Sequence, residues 1–168
     1  IPNIVYVSAK NKNKKRNIKI NKKLWLNNFI DATTNPKIDL IVELIGGAEG
    51  AAKKLVFNAL KNKKHVVTAN KALIAKYGDR LSKIAEQNKV NLEFEAAVGG
   101  GIPVLRTIKD GLATNKIHKV IGILNGTSNY ILTKMQKNRD SFKNVLKDAQ
   151  KLGLAEPNPK FDLDGSDV

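Results

Sequence analysis

Four carboxylates stand close together near the C-terminal end of the sequence, in the segment AEPNPKFDLDGSDV. They are Glu156, Asp162, Asp164 and Asp167. Carboxylates on a segment stiffened by prolines could bind an amino group or orient a catalytic base. A calcium loop fits poorly, because the D-x-D-x-D-G order and the closing glutamate are missing. A solvated acidic loop explains the cluster equally well.

Three consecutive glycines stand in the segment FEAAVGGGIPVLR, residues 94–106. Ordering glycine costs more conformational entropy than ordering any other residue. A run of this kind therefore predicts a sharp bend or a close approach of the backbone to another group.

Small, glycine-rich or polar residues follow each of four predicted strands, at residues 8–12, 45–47, 68–71 and 96–102. Ligands of open parallel sheets bind beyond the carboxyl ends of the strands. The pattern favours a nucleotide-type ligand, although tight strand-to-helix turns would also produce part of it. The phosphate-binding fingerprint G-x-G-x-x-G is absent from the sequence,.

The residues Ser8-Ala9-Lys10-Asn11-Lys12 follow the first predicted strand. An acidic residue at this place would hold the ribose 2′-hydroxyl of NAD. Lysines could instead accept a 2′-phosphate, which favours NADP over NAD. The alternative is a basic loop without a ligand.

Lys71 stands at the predicted start of a helix, where the helix dipole makes a positive charge unfavourable,. Its side chain either extends harmlessly into solvent or faces an anionic ligand. His65 and His118 stand apart from carboxylate clusters and are expected to be ordinary polar residues,.

The elements that would position these residues alternate between strand and helix. Apolar runs predict strands at 1–9, 38–46, 65–69 and 90–96, and helical spacing predicts helices at 50–62 and 71–88,. Parallel strands need a crossover, so this order predicts a doubly wound, Rossmann-type parallel sheet in an α/β domain over residues 1–100. The run 38–46 is apolar enough to predict a strand covered on both faces.

A second domain is predicted from residue 101 to residue 168, because the pattern changes after Pro103. It predicts a helix over 103–113, a strand over 119–124, a helix from Thr127, and a helix from about Ser141 that ends at Gly153,. Helices mixed with a strand predict the start of an α+β domain here.

The bulk composition limits the classes of protein to which the chain can belong. The 168 residues carry a formal charge of +15, contain no cysteine, and have no apolar run long enough for a membrane span,. Nucleic-acid binding is an alternative, but the charge comes mostly from lysine mixed with asparagine, and exposed aromatics are scarce. Partners of either kind, nucleic acid or membrane, are not expected.

Five motifs, in order along the chain, resemble homoserine dehydrogenase. They are VELIGG, KHVVTANKALIA, FEAAVGGGIPVLR, GILNGTSNYIL and LGLAEPNPKFDLDGSDV. The resemblance implies hydride transfer between NAD(P) and a small substrate, with interconversion of L-homoserine and L-aspartate 4-semialdehyde in threonine, methionine and isoleucine biosynthesis. It also implies that residues 101–168 are part of a substrate-binding and dimerisation domain, and that the protein is a cytoplasmic homodimer.

The resemblance assigns roles residue by residue. Lys71 and Asp167 are expected to be catalytic, with Lys71 between cofactor and substrate. The cofactor set is Gly46, Gly47, Thr68, Lys71 and Gly153. The substrate set is Gly126, Thr127, Glu156, Asp162 and Asp167, of which Glu156 and Asp167 hold the amino group.

The resemblance also gives the glycine run a ligand. In the family, backbone carbonyls of this stretch hold a monovalent cation, which implies Glu95, Val98, Gly100 and Ile102 around sodium. Hard oxygen ligands from a bent backbone suit such an ion.

Two features of the family are expected outside the sequence. The glycine fingerprint would precede Ile1, and the general acid/base lysine would follow Val168. The chain is therefore expected to be a fragment that turns over little alone. The alternatives are a basic nucleic-acid-binding module or another two-domain NAD(P)-dependent dehydrogenase.

Overall fold

Strands and helices alternate along the first hundred residues. The computed structural model, which describes residues 2–100 and 102–155, has three parallel strands there in the order β1-β2-β3. A helix fills each crossover between them, as parallel neighbours require. The predicted α/β class with a parallel sheet is confirmed. The elements are β1 (Leu40–Glu43), α1 (Ala51–Lys61), β2 (His65–Thr68), α2 (Lys71–Asn88) and β3 (Leu92–Glu93).

The chain folds into two units, of which the first extends to Gly100. One face of the sheet carries the hydrophobic core of this first unit. The register aligns Ile41, Val66 and Leu92, so these three buried side chains lie on the same face. Leu60 of α1 and Leu73 of α2 pack into the same core and are fully buried. The core therefore holds both helices, and the turns that lead into them, in fixed positions on the sheet.

The other face of β1 is open, and the prediction that residues 38–46 are covered on both faces is wrong. Leu40 is 40% exposed and Val42 is 58% exposed. Side chains alternate between the two faces of a strand, so both residues lie opposite the face that carries Ile41 and the core.

The N-terminal segment forms less sheet than its β-branched run predicts. In place of a strand over residues 1–9, the described part has an isolated parallel bridge between Val7 and Trp25. The N–H of Val7 donates to the carbonyl of Leu24 at 2.8 Å, and its carbonyl accepts the N–H of Leu26 at 2.9 Å. The segment meets its neighbour at one residue, which is too little for a ladder.

Two further predicted strands are shortened or missing. The strand expected over 90–96 contains two residues, because a 3₁₀ turn at Glu95–Ala97 takes the chain out of the sheet. Residues 119–124 form no strand, and Ile121 is 82% exposed. A strand depends on hydrogen bonds to a neighbour, and no described segment of the second unit pairs with this one.

The second unit, from residue 101 onward, is mainly helical over its described residues. Its helices are α3 (Val104–Arg106, continued by a π-helical turn at Thr107–Gly111), α4 (Gly126–Asn138) and α5 (Phe142–Lys151). Ile131 of α4 and Val145 of α5 meet in a small apolar core. The predicted end at Gly153 is confirmed, since Gly153 adopts φ +72° just after α5,. Among the described residues, no helix is long and apolar enough to cross a membrane.

Candidate functional site

The carboxyl end of β1 carries a fully buried glutamate, Glu43. Its Oε1 accepts hydrogen bonds from the backbone N–H of Ile45 at 2.6 Å and of Gly46 at 3.0 Å. Its Oε2 accepts the hydroxyl of Thr68 at 2.5 Å. A buried carboxylate is costly unless it is hydrogen-bonded, and these three donors compensate it. They also fix the direction in which the chain leaves the strand.

The turn after β2 is joined to the turn after β1 by side chains. The hydroxyl oxygen of Thr68 accepts the N–H of Asn70 at 3.0 Å. The Asn70 amide donates to the carbonyl of Gly47 at 2.8 Å, while its Oδ1 caps α2 by accepting the N–H of Leu73 at 3.1 Å,. The two turns at the carboxyl edge of the sheet therefore form one connected network.

Gly46 and Gly47 present bare backbone at this edge. They adopt φ +84° and +78°, both are exposed, and a Cβ added to either would meet nothing within 4 Å. The N–H of Gly46 and the carbonyl of Gly47 are already engaged by Glu43 and Asn70. The turn therefore presents an open backbone surface that no side chain of either glycine covers.

Thr68 and Lys71, the other cofactor residues expected in this unit, lie at different depths. The side chain of Thr68 is fully buried, and its hydroxyl donates a hydrogen bond to Glu43. Lys71 is the first residue of α2 and is exposed. Lys71 is thus accessible to a ligand at this edge, whereas Thr68 supports the turn from below.

A basic cleft of about 600 Å³ lies in the first unit, along residues 12–27. The Arg16 guanidinium stands 5.3 Å from the centroid of the Trp25 ring and donates to the carbonyls of Asn11 and Lys14 at 2.9 and 2.8 Å. These bonds give shape to a loop that contains no regular element until residue 22. The basic residues that line the cleft are Lys12, Lys14, Arg16 and Lys22.

Glu43, the Arg16–Trp25 pair and the bridging role of Asn70 were not predicted from the sequence, although Asn70 lies within the predicted segment 68–71. Glu43 had a visible signal, since it is a single charge inside an apolar run just before two glycines. Trp25 is the one tryptophan of the chain and lies next to the basic loop.

In the second unit, the start of α4 is tied to the chain that follows α5. The buried hydroxyl of Thr127 donates to the carbonyl of Leu154. Gly126, the first residue of α4, is exposed, and a Cβ there would meet nothing within 4 Å. Thr127 therefore positions the segment that leads into the acidic motif. The carboxylates predicted for substrate binding, Glu156, Asp162 and Asp167, and the neighbouring Asp164 lie outside the described residues.

The expected cation segment is bent, as its glycines predict. Gly99 and Gly100 adopt φ +71° and +60°. The carbonyl of Glu95 accepts the N–H of Val98 at 3.3 Å, and that of Ile102 accepts the N–H of Val104 at 2.8 Å. No cluster of His, Cys, Asp or Glu suited to a metal occurs in the described part of the chain.

An exposed ion cluster around Glu49 joins α1 to α2. Glu49 accepts hydrogen bonds from Lys53 and Lys76, both at 2.8 Å, and from the hydroxyl of Tyr77. These hydrogen bonds lower the pKa of Glu49 from 4.5 to about 2. The bond from Lys53 has the largest effect, and those from Lys76 and Tyr77 come next.

This lowered pKa predicts a pH-dependent contribution to stability. Because the pKa is lower in the folded chain, the contribution is complete above pH 4.5 and is lost as the pH falls towards 2,. We expect Glu49→Gln to lower the melting temperature slightly at pH 7, since exposed pairs are weak. The difference from wild type should shrink in melts recorded at successively lower pH below 4.5. A difference that stays constant down to the lowest pH at which the chain folds would contradict this interpretation.

Two family models match the chain, one in each unit. The model for the NAD binding domain of homoserine dehydrogenase matches residues 2–95, and the model for homoserine dehydrogenase matches residues 103–168. Residues 2–95, which the NAD binding model matches, include all three strands and the edge built around Glu43 and Asn70.

Individual proteins agree with this match. The homoserine dehydrogenase of Bacillus subtilis is 46% identical over 162 residues, covering 96% of this chain and 37% of that protein. A crystal structure of a homoserine dehydrogenase from Thiobacillus denitrificans has 48% identity and a TM-score of 0.79, over 87% of this chain and 34% of that one. A hyperthermophilic archaeal homoserine dehydrogenase in complex with NADPH has 28% identity and a TM-score of 0.74, over 83% of this chain and 43% of that one.

The chain spans between 34% and 43% of the length of these proteins, and the matched region carries the parallel sheet together with its glycine-rich edge. The motif resemblance, which runs from about residue 38 to Val168, agrees with the two family models. The chain belongs to the homoserine dehydrogenase family.

Proposed function

We propose that the protein containing this chain is a homoserine dehydrogenase, an NAD(P)-dependent oxidoreductase that interconverts L-homoserine and L-aspartate 4-semialdehyde. The observation that carries the proposal is the carboxyl edge of the parallel sheet, where an open glycine turn and an exposed lysine stand side by side in a domain that matches an NAD binding model. The family model over residues 103–168 supports the choice of substrate.

The cofactor would lie against the turn at Gly46 and Gly47. When bound, its nicotinamide supplies or accepts the hydride. The absence of side chains at the two glycines lets a flat ring system approach the backbone, and Lys71 supplies a positive charge at the same edge,. The proposed cofactor set is completed by Thr68, which is buried below the turn, and by Gly153.

NADP is the proposed cofactor in preference to NAD. The basic cleft supports this, because its ammonium groups and the guanidinium over Trp25 suit a phosphate beside an adenine ring,. The archaeal relative was solved with NADPH.

The cleft gives a direct prediction for Lys12, which lines it. We expect Lys12→Glu to raise the dissociation constant of NADPH about tenfold, as expected for the loss of one charge-assisted hydrogen bond, and to leave that of NADH nearly unchanged. Isothermal titration of both nucleotides measures the two constants. Lys147→Glu, on α5, makes the same change in net charge and serves as the control. Equal weakening of NADPH and NADH would contradict the assignment of the 2′-phosphate to this cleft.

The second unit is proposed to hold the substrate. Gly126 and Thr127 would line its pocket, and Glu156 and Asp167, with Asp162 nearby, would hold the amino group. The proposed catalytic residues are Lys71 and Asp167.

A sodium ion is proposed to bind to backbone carbonyls of the glycine run. The positive φ angles of Gly99 and Gly100 support this proposal. The carbonyls are those of Glu95, Val98, Gly100 and Ile102. The resemblance also supports a homodimer in the cytoplasm.

The test is an assay of the purified natural polypeptide that contains residues 1–168. We expect reduction of NADP⁺, followed at the absorbance of NADPH, that requires L-homoserine and does not occur with L-serine. NADPH should bind at a saturable site with mild salt dependence. Binding of duplex DNA that falls steeply with salt, without saturable NADPH binding, would instead favour a basic nucleic-acid-binding protein.

A further inference from the structure

Glu43 has no place in the proposed reaction, yet it is the most completely buried acidic side chain of the described chain. It lies on the face of the sheet that the helices cover, aligned with Thr68 of β2. Its partners are two backbone N–H groups of the glycine turn and the Thr68 hydroxyl. All three are donors to the carboxylate, and each belongs to a segment at the carboxyl edge.

The backbone hydrogen bonds that join β1 to β2 end at Glu43. The last of these bonds runs from the N–H of Ala69 to the carbonyl of Glu43 at 3.3 Å. Beyond that bond the chain passes through Gly46 and Gly47, both at positive φ. Glycine turns are conformationally free, so side-chain hydrogen bonds must hold this one in a single conformation.

The direction of the hydrogen bonds makes Glu43 difficult to replace. A carboxylate accepts only, so the Thr68 hydroxyl donates its hydrogen to Glu43 and keeps its oxygen for the N–H of Asn70,. Asn70 then holds the carbonyl of Gly47 and the first turn of α2. An amide with its oxygen towards the turn could keep the N–H groups of Ile45 and Gly46, but its NH₂ group would face Thr68 as a donor,. The Thr68 hydroxyl hydrogen would then lose its acceptor, and the bonds to the turn would no longer be made to a charged oxygen.

We propose that Glu43 is a positioning residue for the cofactor, which sets the spacing between the glycine turn and the start of α2 through Thr68 and Asn70. The proposal rests on the proposed function, because the ligand whose binding depends on this spacing is the dinucleotide. Glu43 itself lies below the surface and does not touch the ligand. It acts by keeping the two turns in the arrangement that the ligand requires.

The experiment compares Glu43→Gln and Thr68→Val with wild type in the natural polypeptide, with Glu86→Gln on the exposed part of α2 as the control for loss of an acidic group. We expect Glu43→Gln and Thr68→Val each to raise the dissociation constant of NADPH about tenfold, as for the loss of a buried charge-assisted hydrogen bond. The double variant should bind about as weakly as either single variant, because both break the same network. Glu86→Gln should bind as wild type does.

Two further readouts separate positioning from a general loss of stability. Without NADPH, the amides of Ile45 and Gly46 should exchange hydrogen at least about tenfold faster in Glu43→Gln than in wild type, while amides of the α1 core keep their protection. In the assay, KM for the nucleotide should rise and KM for homoserine should stay unchanged.

The outcomes distinguish this proposal from the proposed function. Wild-type polypeptide that fails to bind NADPH overturns both. Wild type that binds NADPH, with folded Glu43→Gln binding it within twofold as tightly, overturns the positioning role alone, and so does faster exchange at residues 45 and 46 without weaker binding. If Glu43→Gln does not fold, Thr68→Val decides by the same criteria.

Discussion

Gly46→Val should weaken NADPH binding at least about tenfold while the chain remains folded. Valine at φ +84° is strained by about 1–3 kcal/mol, and its methyl groups would occupy the open surface proposed for the cofactor,. No clash within the chain is expected, because a Cβ at this position meets nothing within 4 Å. Calorimetric titration with NADPH, alongside thermal unfolding, measures both effects.

Gly78→Ala is the matched control for this substitution. Gly78 lies inside α2, where an added Cβ would stand 3.5 Å from Ile74 Cγ2, an ordinary contact. Alanine there should stabilise the helix by up to about 1 kcal/mol and leave NADPH binding unchanged. If Gly46→Val binds NADPH as tightly as Gly78→Ala does, the cofactor does not lie on the glycine turn.

Leu73→Ala should lower the free energy of unfolding by about 2–5 kcal/mol. Leu73 is fully buried between α2 and the sheet, so its removal leaves a cavity in the core. The N–H of Leu73 also donates to the capping Oδ1 of Asn70, which brings the cavity close to the network below the glycine turn. Urea unfolding followed by circular dichroism measures the change.

Val42→Ala provides the comparison on the open face of the sheet. Val42 is 58% exposed, and its substitution should cost less than about 1 kcal/mol,. Equal losses at Leu73 and Val42 would contradict the finding that the sheet is covered on one face.

The helices of the first unit could be predicted well from the sequence. The spacing of Leu73, Leu81 and Ala85 marks one face of α2, and Asn70 and Lys89 end it at the predicted residues. Local periodicity is sufficient here because the helix satisfies its own backbone hydrogen bonds.

Strands could be predicted less well, because their hydrogen bonds depend on a neighbour that the pattern does not identify. The run around Val42 has the composition of a doubly covered strand, yet one face is open. Residues 119–124 have an equally suitable composition and form no strand. In both cases the decisive information is what packs beside the segment.

The candidate site was predicted in part. Sequence reasoning identified the two turns that contain Gly46, Gly47 and Lys71, since residues after parallel strands share an edge. The network below them was not predictable, because it depends on the register that aligns Glu43 with Thr68. Arg16 and Trp25 were missed for a similar reason, since their contact depends on how an irregular loop folds.

The most direct test of the central claim is a map of amide chemical shifts on addition of NADPH to the isotopically labelled polypeptide. The account predicts saturable shifts at residues 45–47 and 69–71, at the carboxyl ends of β1 and β2, with little change at the opposite edge around His65 and Asn91. Shifts confined to the opposite edge, or scattered over exposed lysines without saturation, would contradict it.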